Sequence, residues 1–209
     1  MIDVTNPRLL HFTHVDNLTG IMARGLHAPG DTPGTVVECA EPGIKRARGL
    51  RAVPIPPGGV VTDYVPFYFA PRSPMLSRIH HGGVAGYGGG QRHLIYLCSR
   101  LARVRELGLP WVASDRNAAV ATARYTGDPG SLSSHIDWPL MEARYWADTS
   151  EDGSRKQRRM AEFLVHHSVP WVAVLGIVVI DDDLRKQVTE IMGRVGSPVP
   201  VAVTPSWYF

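Results

Sequence analysis

The chain has 209 residues and a mass of 22.9 kDa, the size of one globular domain. Hydrophobic residues make up 44% and charged residues 20%, with a net charge of +3 and a pI near 9.0, which excludes disordered and collagenous chains. Two cysteines, no secretory signal in MIDVTNPRLLHF and no apolar run long enough to span a bilayer point to a cytoplasmic protein without a membrane partner.

In chain order, RLLHFTHVDN predicts a strand from Leu9 to Thr13, with Asp16 or Asn17 placed to cap a following helix. Leu18, Ile21 and Met22 give that helix its apolar stripe, and Gly25 ends it. Residues 28–59 are rich in Pro and Gly, with a basic helical piece over 44–50 and a stiff PIPPGG turn. VVTDYVPFYFA reads as strand and Pro74 to Ile79 as a short helix, while HGGVAGYGGG cannot hold regular structure. HLIYLCS predicts a buried strand, Ala102 to Leu109 a helix, PWVASD a strand, Asn117 to Tyr125 a helical patch and Pro139 to Trp146 another helix. After a polar stretch, strands are expected at Glu162 to Val165, Trp171 to Ile180 and Pro200 to Val203, with a helix at Asp183 to Met192. Strands and short helices joined by long loops, without regular βαβ alternation, predict a single α+β domain over 1–209 with a mostly antiparallel sheet.

The glycines of GYGGGQRH have no helix behind them, and no phosphate-loop motif occurs, so the commoner nucleotide folds fail their context test. His11-x-x-His14, His80-His81 and His166-His167 lack converging carboxylate or thiolate company, so no metal site is expected. Glu162 stands between Ala161 and the apolar Phe163-Leu164-Val165, and a buried charge needs a partner. Either it pairs with Arg155, Arg158 or Arg159, or it points into a cleft and accepts hydrogen bonds from a sugar hydroxyl, stabilising an oxocarbenium-like carbon. His11 and Thr13 share one face of their strand, able to bind a ribose or merely to face solvent. From the residues alone, Tyr68 and Phe69 read first as plain core packing, and the basic clusters 45–51 and 155–159 as solvated faces.

HFTHVDNLTGI, DYVPFYFAPRSPML and RRMAEFLV together resemble the DarT family of DNA ADP-ribosyltransferase toxins, with VPIPPGG, ASDRNAA, ARYWAD and the SWYF segment similar as well. The resemblance covers nearly the whole chain. It implies an ADP-ribosyltransferase-like split antiparallel sheet with short helices, long loops and an NAD cleft between its halves. By resemblance Glu162 is the catalytic glutamate and Arg48 the catalytic arginine, with Arg51 its rival if the loop is one turn longer. His11, Thr13, Asn17, Arg48, Tyr68 and Phe69 would then line the NAD site, and Met75 stands where many relatives stack a second tyrosine on nicotinamide.

The implied reaction is transfer of ADP-ribose from NAD to a base, most simply thymine, releasing nicotinamide. A base paired in a duplex hides its ring nitrogen, so single-stranded DNA is the expected partner. Basic and aromatic residues near the cleft, namely Arg72, Met75, Arg92, Asn117, Tyr145, Trp146, Arg155 and Lys156, are the candidates for holding it. A DarG-like macrodomain antitoxin is the second expected partner. Other acceptors for the same cleft, and a non-catalytic nucleic-acid-binding module, are the competing readings.

Overall fold

Segments dense in β-branched and aromatic residues become strands, because those side chains pack well on a pleated surface. The structure, a computed structural model, describes residues 2–31, 36–39, 42–196 and 198–209. The strands are β1 (Arg8–His14), β2 (Leu26–His27), β3 (Tyr64–Tyr68), β4 (Leu94–Arg100), β5 (Trp111–Ser114), β6 (Tyr125–Thr126), β7 (Glu162–His166), β8 (Ser168–Val169), β9 (Gly176–Val179) and β10 (Val201–Val203). The helices are α1 (Leu18–Arg24), α2 (Pro42–Gly49), α3 (Pro74–His80), α4 (Leu101–Glu106), α5 (Leu132–His135), α6 (Trp138–Glu142), α7 (Arg155–Arg159) and α8 (Asp182–Val195). Part of the Pro/Gly-rich 28–40 stretch and the side chain of Lys45 lie outside the described residues.

Eight strands form one sheet in the order β10-β9-β4-β1-β3-β7-β5-β6, antiparallel except for the β10–β9 pair, and β2 pairs with β8 apart from it. β1 follows β4 from Arg8↔Arg100 to His14↔Leu94 but meets β3 at one register position, Leu10↔Tyr68. The sheet is therefore split, as expected, with its two halves joined at that single point.

Strand alternation then sorts the side chains. One face carries a continuous core, with Leu9, Phe67, Ile95, Leu97, Phe163 and Val165 packed against α1 and the Leu184, Val188 and Met192 stripe of α8. The opposite face carries two separate clusters, one around Leu10, Leu76, Leu94 and Tyr96 and the other around Val53, Val61, Tyr64, Val112 and Leu164. Tyr68 and Glu162 lie between them, because Leu10 pairs with Tyr68 and Tyr68 with Glu162.

The PIPPGG turn anchors α2 beside this gap: Tyr64 Oη donates to Gly58 O at 2.6 Å, and Val61 N–H to Arg51 O at 2.9 Å. At Gly59, φ is +75°, and a Cβ would lie 2.4 Å from Asp63 Oδ2, the atom that accepts the Val60 N–H, so a side chain there would be strained and would displace that contact.

Several expectations give way. The strand expected over Trp171 to Ile180 begins only at Gly176, because the chain before it turns, with the Ala173 N–H donating to Pro170 O and the Val174 N–H to Trp171 O. Residues 117–125 form turns leading into β6, since Asn117 Oδ1 accepts the Ala119 N–H and offers the backbone an alternative to a helix. The polar stretch before Glu162 contains α7. α6 stops at Glu142 instead of reaching Trp146, because Arg159 Nη1 takes up the carbonyls of Leu140, Met141 and Ala143 at its C-terminal end.

Near the last residues, the Tyr208 hydroxyl sits 3.1 Å from Leu94 O and 3.0 Å from Val178 O, tying its segment to β4 and β9. Removing a buried hydroxyl leaves carbonyls without that partner. Tyr208→Phe is expected to lower the unfolding free energy by about 1–2 kcal/mol in urea titrations, with the far-ultraviolet spectrum unchanged; an unaltered midpoint would contradict this anchoring role.

Candidate active site

Glu162 opens β7, flanked in register by Tyr68 of β3 and Ser114 of β5, and is 1% exposed. A carboxylate so placed needs a cation. None of the nearby arginines supplies it: Arg158 pairs with Asp137 and Asp152, Arg159 donates to carbonyls, and Arg155 donates to Ala147 O and Tyr145 O. The partner is Arg48 of α2, whose Nη1 lies 3.0 Å from Oε1 and 2.8 Å from Oε2. Arg48 is itself 8% exposed, and its Nη2 is buried with no hydrogen-bond partner among the described residues.

A loop fixes the other side of the carboxylate. The Ala118 N–H points at Glu162 Oε1 from 3.4 Å. That peptide is held by the Asn117–Ala119 turn, by Tyr125 Oη donating to Ala118 O at 2.6 Å, and by Arg51 Nε donating to Ala119 O at 3.3 Å. The structure thus separates the two rival arginines: Arg48 reaches the carboxylate, while Arg51 braces the loop.

Tyr68 shares the side of Glu162 and lies parallel to Phe12, with ring centroids 6.1 Å apart. Burial, with the Glu162 charge second, pushes its phenol far above the usual range, against a hydrogen bond with Ser73 and the pull of Arg48. Ser73 also caps α3 by accepting the Leu76 N–H. Phe69 departs from its expected place at the NAD site. Successive strand residues face opposite ways, and Phe69, 2% exposed, packs edge-on against Trp138 and Phe163 in the main core.

His11 stands in the split. Its Nδ1 lies 2.8 Å from Pro66 O, and a carbonyl can only accept, so this contact assigns the proton to Nδ1 and leaves Nε2 as an acceptor. Burial holds the imidazole below its ordinary 6.5, against that hydrogen bond, so the ring is neutral near pH 7. Asn17 Nδ2 donates to Thr13 Oγ1 at 3.0 Å and to Val37 O at 2.9 Å, and its Oδ1 accepts the Val37 N–H. Asn17 and Thr13 thereby secure the 36–39 segment at the end of β1. His11 and Thr13 lie on the side of the sheet opposite Tyr68 and Glu162, so the two groups can border a single cleft only through the gap between β1 and β3.

Of the residues expected at the acceptor, the structure gathers Arg72 and Trp146 around Phe209. The Arg72 guanidinium lies 4.4 Å above the Phe209 ring, and Trp146 meets the ring edge-on at 6.5 Å. Arg72 has φ +53°, and its Nε is buried without a hydrogen-bond partner among the described residues. Tyr145 is 76% exposed beneath Arg144, while Arg92 and Lys156 are exposed and Met75 packs half-buried by Leu76. Asn117 is committed to its own loop, its Oδ1 to Ala119 N and its Nδ2 to Met160 Sδ at 4.0 Å, so its side chain braces the Glu162 neighbourhood. Sequence reasoning missed Phe12, the Ala118 N–H, Tyr125 and Phe209. Only Phe12 had a signal, its place between His11 and Thr13. Among the described residues, no His, Cys, Asp and Glu gather in a group that could hold a metal ion, and no helix is long and apolar enough to cross a membrane.

A DNA ADP-ribosyl transferase of Thermus sp. (strain 2.9) is 38% identical over 204 residues, 96% of this chain and 95% of that relative. The structure of Thermus sp. 2.9 DarT in complex with ADP-ribosylated ssDNA superposes with a TM-score of 0.90 at 35% identity, covering 97% of this chain and 96% of that one. The complex of the same DarT with NAD+ gives 0.87 at 34% identity, covering 97% and 98%. The fold is that of an NAD-dependent ADP-ribosyltransferase. A family model described as ssDNA thymidine ADP-ribosyltransferase, DarT, matches residues 10–209, and the chain belongs to that family.

Breaking a buried ion pair from one side strands a charge, which costs about 3–5 kcal/mol, whereas replacing both partners costs far less. Arg48→Met is accordingly expected to destabilise the fold by about 3 kcal/mol in urea titrations, and adding Glu162→Gln to recover most of that; a single variant as stable as the parent would contradict the pairing. For His11 the unfolded chain takes up a proton near 6.5 and the folded chain only at lower pH, so acid withdraws stability from about 6.5 downward. His11→Gln should lessen the loss of stability between pH 7 and pH 5, and an identical pH profile would refute the assignment.

Proposed function

We propose that Glu162 and Arg48 are the catalytic pair with which this member of the DarT family moves ADP-ribose from NAD to a thymine of single-stranded DNA. The observation that carries the proposal is the buried Arg48–Glu162 contact at the split, with Arg48 Nη2 lacking a hydrogen-bond partner among the described residues. The residues present fit NAD. A carboxylate has about four lone-pair directions. Arg48 and Ala118 take up to three of them in this structure, so Glu162 can accept a ribose hydroxyl without releasing Arg48. His11 Nε2 offers a second acceptor for a sugar hydroxyl, and the Phe12–Tyr68 pair offers a flat wall suited to a nicotinamide ring.

NAD supplies the ADP-ribosyl group and leaves as nicotinamide when the bond from the sugar C1′ to the ring nitrogen breaks. Glu162 orients the ribose and places negative charge beside the carbon that becomes positive. The thymine nitrogen bonds to C1′ and sheds its proton, which passes to Glu162 or to water. Arg48 stays protonated throughout, so it stabilises developing negative charge on the base instead of taking the proton. Arg72, Trp146 and Phe209 provide charge and aromatic surface for the strand. Residues 1–209 act as one transferase domain in the cytoplasm, where NAD and exposed single strands coexist. A toxin that marks DNA needs restraint, and a DarG-like macrodomain antitoxin that removes the mark is the partner that fits.

Transfer to an oligonucleotide and nicotinamide release by folded variants test these roles. Glu162→Ala should lower both by about 10³-fold and Arg48→Ala transfer by about 10²-fold, with Arg51→Ala costing less than tenfold. A folded Glu162→Ala protein with undiminished transfer would refute the mechanism, and a larger loss at Arg51 than at Arg48 would reverse their roles.

A further inference from the structure

Arg8 and Arg100 face each other across β1 and β4. Like charges directly opposite in an antiparallel pair destabilise it; Arg100 is offset by donating Nη1 to Asn6 O at 3.1 Å with Asp3 nearby, which leaves Arg8 as the cation of the pair lying over an aromatic ring. The two arginines border a groove of about 330 Å³ whose lining also includes Cys98, Gly176, Val178 and Trp207 and contains no Asp or Glu. The Arg8 guanidinium lies 5.3 Å from the Trp207 ring centroid, and Trp207 packs edge-on against Tyr96.

The groove shares its side of the sheet with the catalytic pair, because Arg8 alternates with Leu10, Leu10 pairs with Tyr68 and Tyr68 with Glu162. Two residues along β1 and two strands across place Arg8 on the order of 12 Å from Glu162, measured between backbones. The Trp207–Tyr208–Phe209 segment connects the two places. Tyr208 is anchored in the core, and on either side of it an aromatic ring carries an arginine: Trp207 with Arg8, and Phe209 with Arg72. Guanidiniums beside aromatic rings are the chemistry that holds a single strand, with cations for phosphodiesters and flat faces for bases.

We propose that the Arg8–Trp207 groove is a second subsite, binding a nucleotide that flanks the target thymine in the single strand. The proposal rests on the reading of Glu162 as the catalytic centre, and its test separates the two. Arg8 would meet the phosphodiester, and Trp207 would stack on the base. The enzyme should therefore favour oligonucleotides long enough to reach from the cleft to the groove, on one side of the thymine.

The experiment measures kcat/KM for oligonucleotides with one thymine and zero to six added nucleotides on either side, for the parent protein, Arg8→Glu and Trp207→Ala. The parent should gain about tenfold at a particular extension on one side, and each variant should lose most of that gain while the shortest substrate reports on the cleft itself. Arg8→Ala should also lower the slope of log KM against log salt for the long oligonucleotide by about 0.7, one phosphate contact's share. Thermal melting of each variant tells loss of fold from loss of the subsite. No length gain in the parent, or variants that lose equally on short and long substrates, would overturn the proposal. Loss of activity on every substrate by a folded Glu162→Ala protein leaves the catalytic reading standing in either case.

Discussion

A single buried carboxylate sets the demands that the rest of the site answers. Glu162 lies at the start of a strand whose next residues are core, so water cannot solvate it and the fold must bring it a cation. That cation comes from Arg48, 114 residues earlier in the chain, and it arrives only because the PIPPGG turn is bonded to the start of β3 and holds α2 against the sheet. The loop bearing Ala118 closes the other side, itself held by Arg51, Tyr125 and Asn117. An arrangement that satisfies the carboxylate this completely, yet keeps a guanidinium nitrogen and a lone pair in reserve, is organised for a polar ligand.

The split in the sheet is the second constraint. Because β1 touches β3 at Leu10↔Tyr68 alone, backbone groups along the rest of that boundary do not pair with one another. The His11 ring takes the place of part of the missing ladder by bonding Pro66 O. Residues of both sheet faces thereby border the same gap. An extended substrate with a sugar at each end suits such a passage, since each half of the sheet offers its own polar groups.

Much of this was legible in the sequence. Strand alternation located β1, β3, β4 and β7, and one carboxylate inside an apolar run marked Glu162 before any fold was known. Of the two arginines that the resemblance left as rivals, Arg48 is the one in contact with Glu162, since the turn bonded to β3 holds the helix that carries it beside the sheet. What failed was long-range or local in ways that pattern does not carry. Arg155, Arg158 and Arg159 looked like partners of Glu162 by proximity in sequence, but each is committed to carbonyls or aspartates of its own neighbourhood. Phe69 was misplaced because alternation turns it away from Tyr68, and the 117–125 helix was lost to one asparagine side chain. The gathering of Arg72, Trp146 and Phe209 joins residues as much as 137 positions apart (209 − 72), beyond the reach of any local pattern.

The central chemical proposal is that Arg48 and Glu162 join ADP-ribose to thymine in a single strand. Mass spectrometry of short oligonucleotides incubated with the protein and NAD tests it directly, with one oligonucleotide lacking thymine. A mass gain of one ADP-ribose unit is expected on the thymine-containing strand and none on the other. An equal gain on both, or nicotinamide release with no gain on either, would contradict it.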